Sequence, residues 1–118
     1  MGVSKGEYGR GAKAKATKLH SQIIRSKGFC ERCGRTENLQ CAHIIRRTYS
    51  ATRSDLANAW CLCAKCHFHI DTNPDEFMVF VNDTVGMDKF SELKAKALAG
   101  VGKKVDWSAE LERLKALA

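Results

Sequence analysis

Two pairs of cysteines have the spacing of a tetrahedral metal site. Each pair has the form Cys-x-x-Cys, and 29 residues lie between the two pairs. A two-residue gap lets one turn present two thiolate sulfurs at about 2.3 Å from a Zn²⁺ ion. Because a site closed by four cysteines has no free coordination position, we expect it to be structural. The predicted zinc ligands are Cys30, Cys33, Cys63 and Cys66.

The two remaining cysteines have no partner at that spacing. Cys41 and Cys61 both fall in predicted strands, where a free thiol packs as a small apolar side chain. We interpret them as core thiols, with metal binding by either one as the alternative.

Four other side chains around the zinc pairs could carry chemistry. His43 lies on one predicted strand, Asn58 opens the next, and His67 directly follows the last zinc ligand. Imidazole has an unperturbed pKa close to neutral pH, which suits a general base. Asp71 lies four residues after His67, and a histidine and a carboxylate on one helical face can bind the same divalent ion. His69 is expected to face solvent, but it competes with Asp71 if the helix begins late.

The order of these residues resembles that of the HNH endonucleases, the ββα-metal nucleases common in phages. The match comprises both Cys-x-x-Cys pairs, His43 within Ala-His-Ile-Ile, Asn58, and the histidine after the last cysteine. It extends from Cys30 to about Pro74. The stretches similar to a phage and prophage subgroup are Ala42 to Arg47, Thr52-Arg53 and Asn73-Pro74.

The resemblance implies metal-dependent hydrolysis of DNA, by nicking or by double-strand cleavage, and a setting in phage DNA packaging beside terminase proteins. It gives His43 the role of base, and Asn58 that of fixing the hairpin and orienting His43. Together with their spacing, this reaction predicts that His67 and Asp71 hold a catalytic Mg²⁺, Mn²⁺ or other divalent ion. Many members carry Asp or His immediately before the base, where this chain has Ala42. Metal binding by His43 itself, or by the carbonyl oxygen of Asn58, is therefore an open alternative.

Positive charge is concentrated at the start of the chain. The formal net charge is +7, of which residues 1–27 contribute +6, residues 28–74 contribute +2 and residues 75–118 contribute −1. This distribution predicts a polyanion partner on one side of the molecule, with a solvated basic arm as the alternative. Guanidinium groups after His43 could bind phosphate bidentately. The predicted DNA contacts are Lys13, Lys15, Lys18, Arg46, Arg47 and Arg53.

The elements that must position these residues are short, and 118 residues fit a single domain. We expect a basic arm and helix over residues 1–27, a core over 28–74 and a helical packing segment over 75–118. The expected fold class is α+β, with two antiparallel strands and a helix around the catalytic metal, and helices at both ends. The structural zinc is expected between the two Cys-x-x-Cys turns, here called knuckles. Strands are predicted over Leu39–Ile45 and Asn58–Leu62, with a long polar loop between them.

Helices are predicted on both sides of this core. The first covers Ala12 to Lys27 after a flexible start over residues 1–11, which hold four glycines. Asn73 at the N-cap, Pro74 and the acidic Glu76 predict a capping box that opens another helix. The expected buried faces of the last three helices are Phe77, Phe80 and Val81; Phe90, Leu93 and Ala97; and Trp107, Leu111 and Leu114.

The sequence contains no apolar run of membrane-spanning length and no apolar signal segment, which predicts a cytoplasmic protein with reduced thiols. No base-reading element is evident, so we expect little DNA sequence preference. The competing hypothesis is a non-catalytic zinc-ribbon module that binds nucleic acid. That alternative explains the cysteines and the basic start, but not His43, Asn58 and His67.

Overall fold

The computed structural model describes the backbone of residues 2–118 and the side chains of residues 11–118. Over this range it has six α-helices and one two-stranded antiparallel sheet, so the predicted α+β class is confirmed. The elements are α1 (Gly2–Arg25), β1 (Leu39–His43), α2 (Ser50–Arg53), a 3₁₀ turn (Leu56–Asn58), β2 (Ala59–Cys63), α3 (Ala64–Thr72), α4 (Pro74–Thr84), α5 (Met87–Ala99) and α6 (Trp107–Leu117).

The hairpin separates two groups of functional side chains. Leu39 pairs with Cys63 at one end of the strands, and His43 pairs with Ala59 at the other. At about 3.3 Å per residue, the four steps of β1 place these ends roughly 13 Å apart. The four cysteines predicted to bind zinc lie at the Leu39–Cys63 end, here called the knuckle end, and His43 lies at the opposite end.

Each face of the hairpin is covered by helices. Cys41 and Cys61 are opposite one another, so their side chains share the face that packs against α1. Trp60 and Leu62 alternate with them and are buried in the main apolar core, which α3, α4 and α5 complete. Trp60 also donates a 2.9 Å hydrogen bond to the Thr84 hydroxyl, which ties β2 to the end of α4.

The first helix is longer than predicted. It begins at Gly2 instead of Ala12, so the prediction of a flexible start over residues 1–11 was wrong for the part that the structure describes. Later turns of α1 pack against α6 and against both strands. Once those contacts fix part of a helix, each added residue gains a backbone hydrogen bond without a new nucleation cost.

The loop between the strands contains its own short elements, which sequence patterns did not predict. Asp55 caps the 3₁₀ turn by accepting a 2.9 Å hydrogen bond from the Ala57 amide. The buried Ser54 donates to the Glu110 carboxylate at 2.5 Å, and Arg113 donates to the Ser54 carbonyl at 3.0 Å. The last helix therefore anchors this loop.

The predicted capping box at α4 was wrong, although the helix does begin at Pro74. Asn73 is both the C-cap of α3 and the N-cap of α4, and its side chain makes no capping bond to α4. Its amide instead donates to the His69 carbonyl at 2.7 Å. Because one residue is shared between the two helices, its side chain can cap only one of them, and it bonds to the last turn of α3.

The predicted packing faces of the later helices are largely confirmed. Phe90, Leu93 and Ala97 are buried, as are Val81 and Leu114. Over the described residues, no helix combines the length and apolar character needed to cross a membrane. The partly buried members of these faces are Phe77, Phe80, Trp107 and Leu111.

Candidate active site and metal centre

The four cysteines predicted to bind zinc converge at the knuckle end of the hairpin. The sulfur atoms of Cys30, Cys33, Cys63 and Cys66 all lie within 4.8 Å of one another. The Cys33 and Cys63 sulfurs are 3.7 Å apart. A tetrahedral ion with sulfur at about 2.3 Å requires sulfur–sulfur separations of about 3.8 Å. The cluster therefore has the size and donor set of a metal site, such as one for zinc.

Backbone geometry supports both knuckles. Gly34 takes a positive φ of 81°, and its amide donates to the Cys30 carbonyl at 2.8 Å, which closes the first turn. The second turn uses Cys63 as the N-cap of α3, with the Cys66 amide 3.4 Å from the Cys63 sulfur. Amides aimed at sulfur stabilise the thiolate form that binds metal.

The first knuckle is also joined to the sheet. Glu31 accepts a 2.7 Å hydrogen bond from the Cys61 amide through its carboxylate, and its own amide donates to the Cys61 carbonyl at 2.8 Å. Cys61 thus pairs with the knuckle on the side away from β1. This arrangement holds the two cysteine pairs in a fixed relation.

The electrostatics of the cluster favour binding of a cation. Burial opposes ionisation of Cys30, yet backbone hydrogen bonds from both knuckles lower the pKa of its thiol to about 6. Burial raises the pKa of Cys66 to about 12, although Arg32 donates to its sulfur at 3.4 Å. Several thiolates at these distances repel one another, and a divalent ion removes that repulsion.

A groove of about 1090 Å³ lies at the other end of the hairpin. Its walls are α1, β1 with the residues that follow, α3, the first turn of α4, and α5. The predicted site residues that line it are His43, His67, Asp71, Lys18, Arg46 and Arg47.

His43 is held in a defined tautomer. Its Nε2 lies 2.9 Å from the Arg53 carbonyl oxygen, which can only accept, so Nε2 carries the proton and Nδ1 keeps a lone pair. Burial lowers the pKa of His43 below its ordinary 6.5, against the opposing effect of this hydrogen bond. The ring is therefore largely neutral at pH 7.

Asn58 is completely buried and binds the backbone around His43. Its side chain accepts from the Ile45 amide at 2.7 Å and donates to the carbonyls of Ile45 and Thr52, each at 3.0 Å. Thr52 precedes Arg53, whose carbonyl accepts from His43. The Asn58 amide therefore fixes the loop that holds the imidazole, and its polar atoms are occupied by these contacts.

His67 and Asp71 are neighbours on α3, as their spacing predicted. The His67 Nε2 lies 3.4 Å from the Asp71 Oδ2. On the other side of the ring, Nδ1 lies 2.7 Å from the side-chain oxygen of Gln40 on β1. An amide oxygen accepts a hydrogen bond, so the ring donates to Gln40 through Nδ1, and Nε2 is the nitrogen that faces Asp71. His69 is half-buried with its Nε2 3.9 Å from Glu76, and it does not line the groove.

The basic residues predicted to contact DNA do not all share the groove. Lys18, Arg46 and Arg47 line it and are exposed. Lys13 lies over the Trp107 ring, 5.7 Å from its centroid, and Lys15 is exposed outside the groove lining. The half-buried Arg53 does not line the groove, but it donates at 3.2 Å to the hydroxyl of Thr17, which does. Two lining residues that sequence patterns did not single out, Arg25 and Lys94, add to the positive charge.

His20, to which no sequence pattern assigns a role, lies beside His43 and is only 1% exposed. The two rings stack with centroids 5.2 Å apart, and the His20 Nδ1 lies 3.7 Å from the Cys41 sulfur. Burial raises the pKa of the Cys41 thiol to about 11 and lowers the pKa of His20. His20 lies 21 residues before Cys41 in the chain, so no local spacing pattern could associate them. Only the packing of α1 on β1 brings them together.

Comparisons of the chain with protein-family models, with curated proteins and with solved structures gave no match.

Proposed function

We propose that the protein is a metal-dependent endonuclease that hydrolyses DNA phosphodiester bonds. The observation that carries this proposal is the composition of the groove. A neutral histidine, a histidine–carboxylate pair and a set of basic side chains line one open cleft. These are a proton acceptor, a pair of metal donors and a set of phosphate-binding groups, which together suit hydrolysis of a phosphodiester.

His43 is the proposed general base. Its Nδ1 lone pair accepts a proton from water as the water oxygen attacks phosphorus, and the phosphorus–oxygen bond to the leaving group breaks. The resulting alkoxide takes a proton from solvent. The hydrogen bond from Nε2 to the Arg53 carbonyl holds the ring in the required tautomer and stabilises its protonated form.

The groove pair of His67 and Asp71 is the proposed site of a catalytic divalent ion. Donors at about 2.1 Å from an ion are about 3 Å apart when adjacent, and the 3.4 Å separation of His67 Nε2 and Asp71 Oδ2 is close to that value. Gln40 fixes the His67 tautomer through Nδ1. A divalent ion such as Mg²⁺ or Mn²⁺ supplies positive charge that stabilises the charge developing on the phosphate.

Substrate binding is proposed to rest on the exposed groove cations. Arg46 and Arg47 follow the strand that carries His43, and Lys18 lines the same groove from α1. Contacts to phosphate carry no sequence information, so this groove favours DNA of any sequence. Function beside phage terminase proteins remains an expectation from the resemblance.

A zinc-ribbon module without catalysis is the alternative. It accounts for the cysteine cluster and for the basic α1. It gives no reason for a neutral His43 and the pair of His67 and Asp71 to line the same cationic cleft.

A plasmid-nicking assay tests the proposal. The zinc-loaded protein should convert supercoiled plasmid to nicked or linear forms with Mg²⁺ or Mn²⁺, and EDTA should stop the reaction. Replacing both Arg46 and Arg47 by Ala should slow cleavage while the fold is kept. Arg35→Ala is the matched control, because this exposed arginine lies in the zinc knuckle away from the groove. DNA binding without cleavage under every metal condition would favour the zinc-ribbon alternative.

A further inference from the structure

A second cluster of metal-type donors lies apart from the four cysteines. Potential ligand atoms of His20, Cys41 and His43 all lie within 4.8 Å of one another. His20 comes from α1, whereas the other two come from the same face of β1. His43 is at the groove end of the hairpin, about 13 Å along β1 from Leu39, and Cys41 lies midway, about 7 Å from each of them.

Both histidines are oriented for coordination. His20 Nε2 is 2.9 Å from the Asp55 carbonyl oxygen, and His43 Nε2 is 2.9 Å from that of Arg53. A carbonyl only accepts, so each ring carries its proton on Nε2 and keeps its Nδ1 lone pair. Histidine ligands commonly donate the opposite ring N–H to a backbone carbonyl, which fixes the ring for the metal.

The donor separation suits a tetrahedral ion. Nitrogen at about 2.05 Å and sulfur at about 2.3 Å from zinc are about 3.5 Å apart. The His20 Nδ1 and the Cys41 sulfur are already 3.7 Å apart. One thiolate and two imidazoles form a set that Zn²⁺ accepts readily and that the oxygen-seeking Mg²⁺ does not.

We propose that His20, Cys41 and His43 form a second Zn²⁺ site, and that its occupation inhibits the protein. A zinc ion bound to the His43 Nδ1 uses the lone pair that a general base needs. Cys41 and His43 line the groove, so an ion held by them would lie beside the cleft where substrate phosphate is proposed to bind. The inhibitory role rests on the proposed nuclease function, but the metal site does not.

The surrounding charge makes this the weaker of the two zinc sites. Arg47 lies close enough to act electrostatically on both Cys41 and His43. The positive charge of Arg47 repels a zinc ion bound there, and a single thiolate offsets only part of that repulsion. The knuckle site, in contrast, offers four sulfurs. Zinc should therefore fill the four-cysteine site first and the His20 site only as its free concentration rises.

Metal titration of the full chain tests the site itself. Protein that already carries one zinc should bind a second equivalent of ZnCl₂ by calorimetry, and added Co²⁺ should give a sulfur-to-cobalt absorption band. Cys41→Ser should weaken the second binding step at least about tenfold and remove the band, as expected when one of three ligands is lost. His20→Gln, which can still donate to the Asp55 carbonyl, should weaken the same step.

Two control variants distinguish this site from the others. Cys61 lies opposite Cys41 but is not one of the clustered donors. Cys61→Ser should therefore leave the second binding step unchanged. His67→Ala should also leave it unchanged. If Cys41→Ser has no effect while His67→Ala removes the second step, the zinc binds elsewhere in the groove and the proposal is wrong. If the wild type shows no second binding step for zinc, the proposal is also wrong.

An activity assay separates the two proposals. In plasmid nicking with Mg²⁺, micromolar ZnCl₂ should inhibit the wild type, and Cys41→Ser should require at least about tenfold more. Zinc binding that depends on Cys41, without nicking by any variant, keeps the metal site and overturns the nuclease. Nicking that zinc inhibits equally in the wild type and in Cys41→Ser keeps the nuclease and overturns the inhibitory site.

Discussion

His43 combines the properties that a general base needs at neutral pH. It lies at the groove end of β1, its tautomer is fixed by the Arg53 carbonyl, and burial keeps it largely neutral. The ion-binding donors proposed for the same groove, His67 and Asp71, lie on a different element. A base and a metal ligand on separate elements can be tested one at a time.

His43→Ala and His67→Ala should impair cleavage for different reasons. Loss of the base should slow cleavage about 10²-fold or more while groove metal still binds. Loss of His67, or of Asp71, should weaken metal binding, so that a higher Mn²⁺ concentration restores part of the rate. Cleavage rates beside calorimetric Mn²⁺ titrations check this, with His69→Ala as the control on the same helix. Lost metal affinity in His43→Ala with normal affinity in His67→Ala would reverse the two roles.

The pH dependence of cleavage should report the lowered pKa of His43. In the proposed mechanism the neutral ring is the active form, and burial moves the pKa of His43 below its ordinary value of 6.5. Activity should therefore persist below pH 6.5 and fall as the pH drops through the shifted value. Profiles of kcat/KM from about pH 5 to 8 at saturating Mn²⁺ measure this limb. A midpoint above 6.5 would contradict a buried histidine base.

At the scale of elements, α1 presents different lysines to different surroundings. Lys18 lines the groove, whereas Lys13 lies over the Trp107 ring of α6. If the groove binds DNA, Lys18→Ala should reduce the slope of log affinity against log salt by about 1. Lys13→Ala should change that slope less and lower thermal stability slightly. Equal slopes for both variants would indicate that α1 acts only as a diffuse positive surface.

The contact of α6 with the loop between β1 and β2 should be measurable as stability. Glu110 bonds Ser54 and Arg113, and chiefly the Arg113 hydrogen bond lowers the pKa of the Glu110 carboxyl. Glu110→Ala should cost on the order of 1 kcal/mol and lower the melting temperature by a few degrees. Glu112→Ala, beside the exposed Lys115, is the matched control and should be nearly neutral.

The same contact should respond to acid in a defined direction. A carboxyl whose pKa is lower in the folded state stabilises the fold above its ordinary pKa of 4.5 and loses that contribution as the pH falls below it. The difference in melting temperature between wild type and Glu110→Ala should therefore shrink below pH 4.5. A constant difference down to low pH would indicate that charge has no part in the anchor.

For the whole molecule, zinc should determine whether the chain folds. The two knuckles lie on opposite sides of the β1 segment in sequence, so an ion bound by both would close a loop that contains most of the hairpin. Structural zinc sites contribute about 10–16 kcal/mol of apparent binding free energy at neutral pH. Cys63→Ser should therefore lose both zinc and the cooperative melting transition. Cys61→Ser should keep one zinc per chain; metal analysis and thermal melts compare them. A folded, zinc-free wild type would contradict this role.

The sequence alone determined the parts of the protein that depend on local spacing. Cys-x-x-Cys fixes two sulfurs within one turn, and an i,i+4 step places His67 beside Asp71 on any helix. Alternation along a strand and the apolar period of the late helices likewise need only neighbouring residues. These predictions hold because a short backbone segment has few conformations, whatever surrounds it.

Only the tertiary structure decided which distant residues meet. It brought His20 against Cys41 and His43, set the Gln40 side chain on His67, and turned Lys13 away from the groove toward α6. In the tertiary structure the Asn73 side chain also bonds to the end of α3 instead of capping α4. Each outcome depends on how helices pack on the two faces of the hairpin, and that packing follows from burial of apolar surface across the whole chain, which no local pattern records.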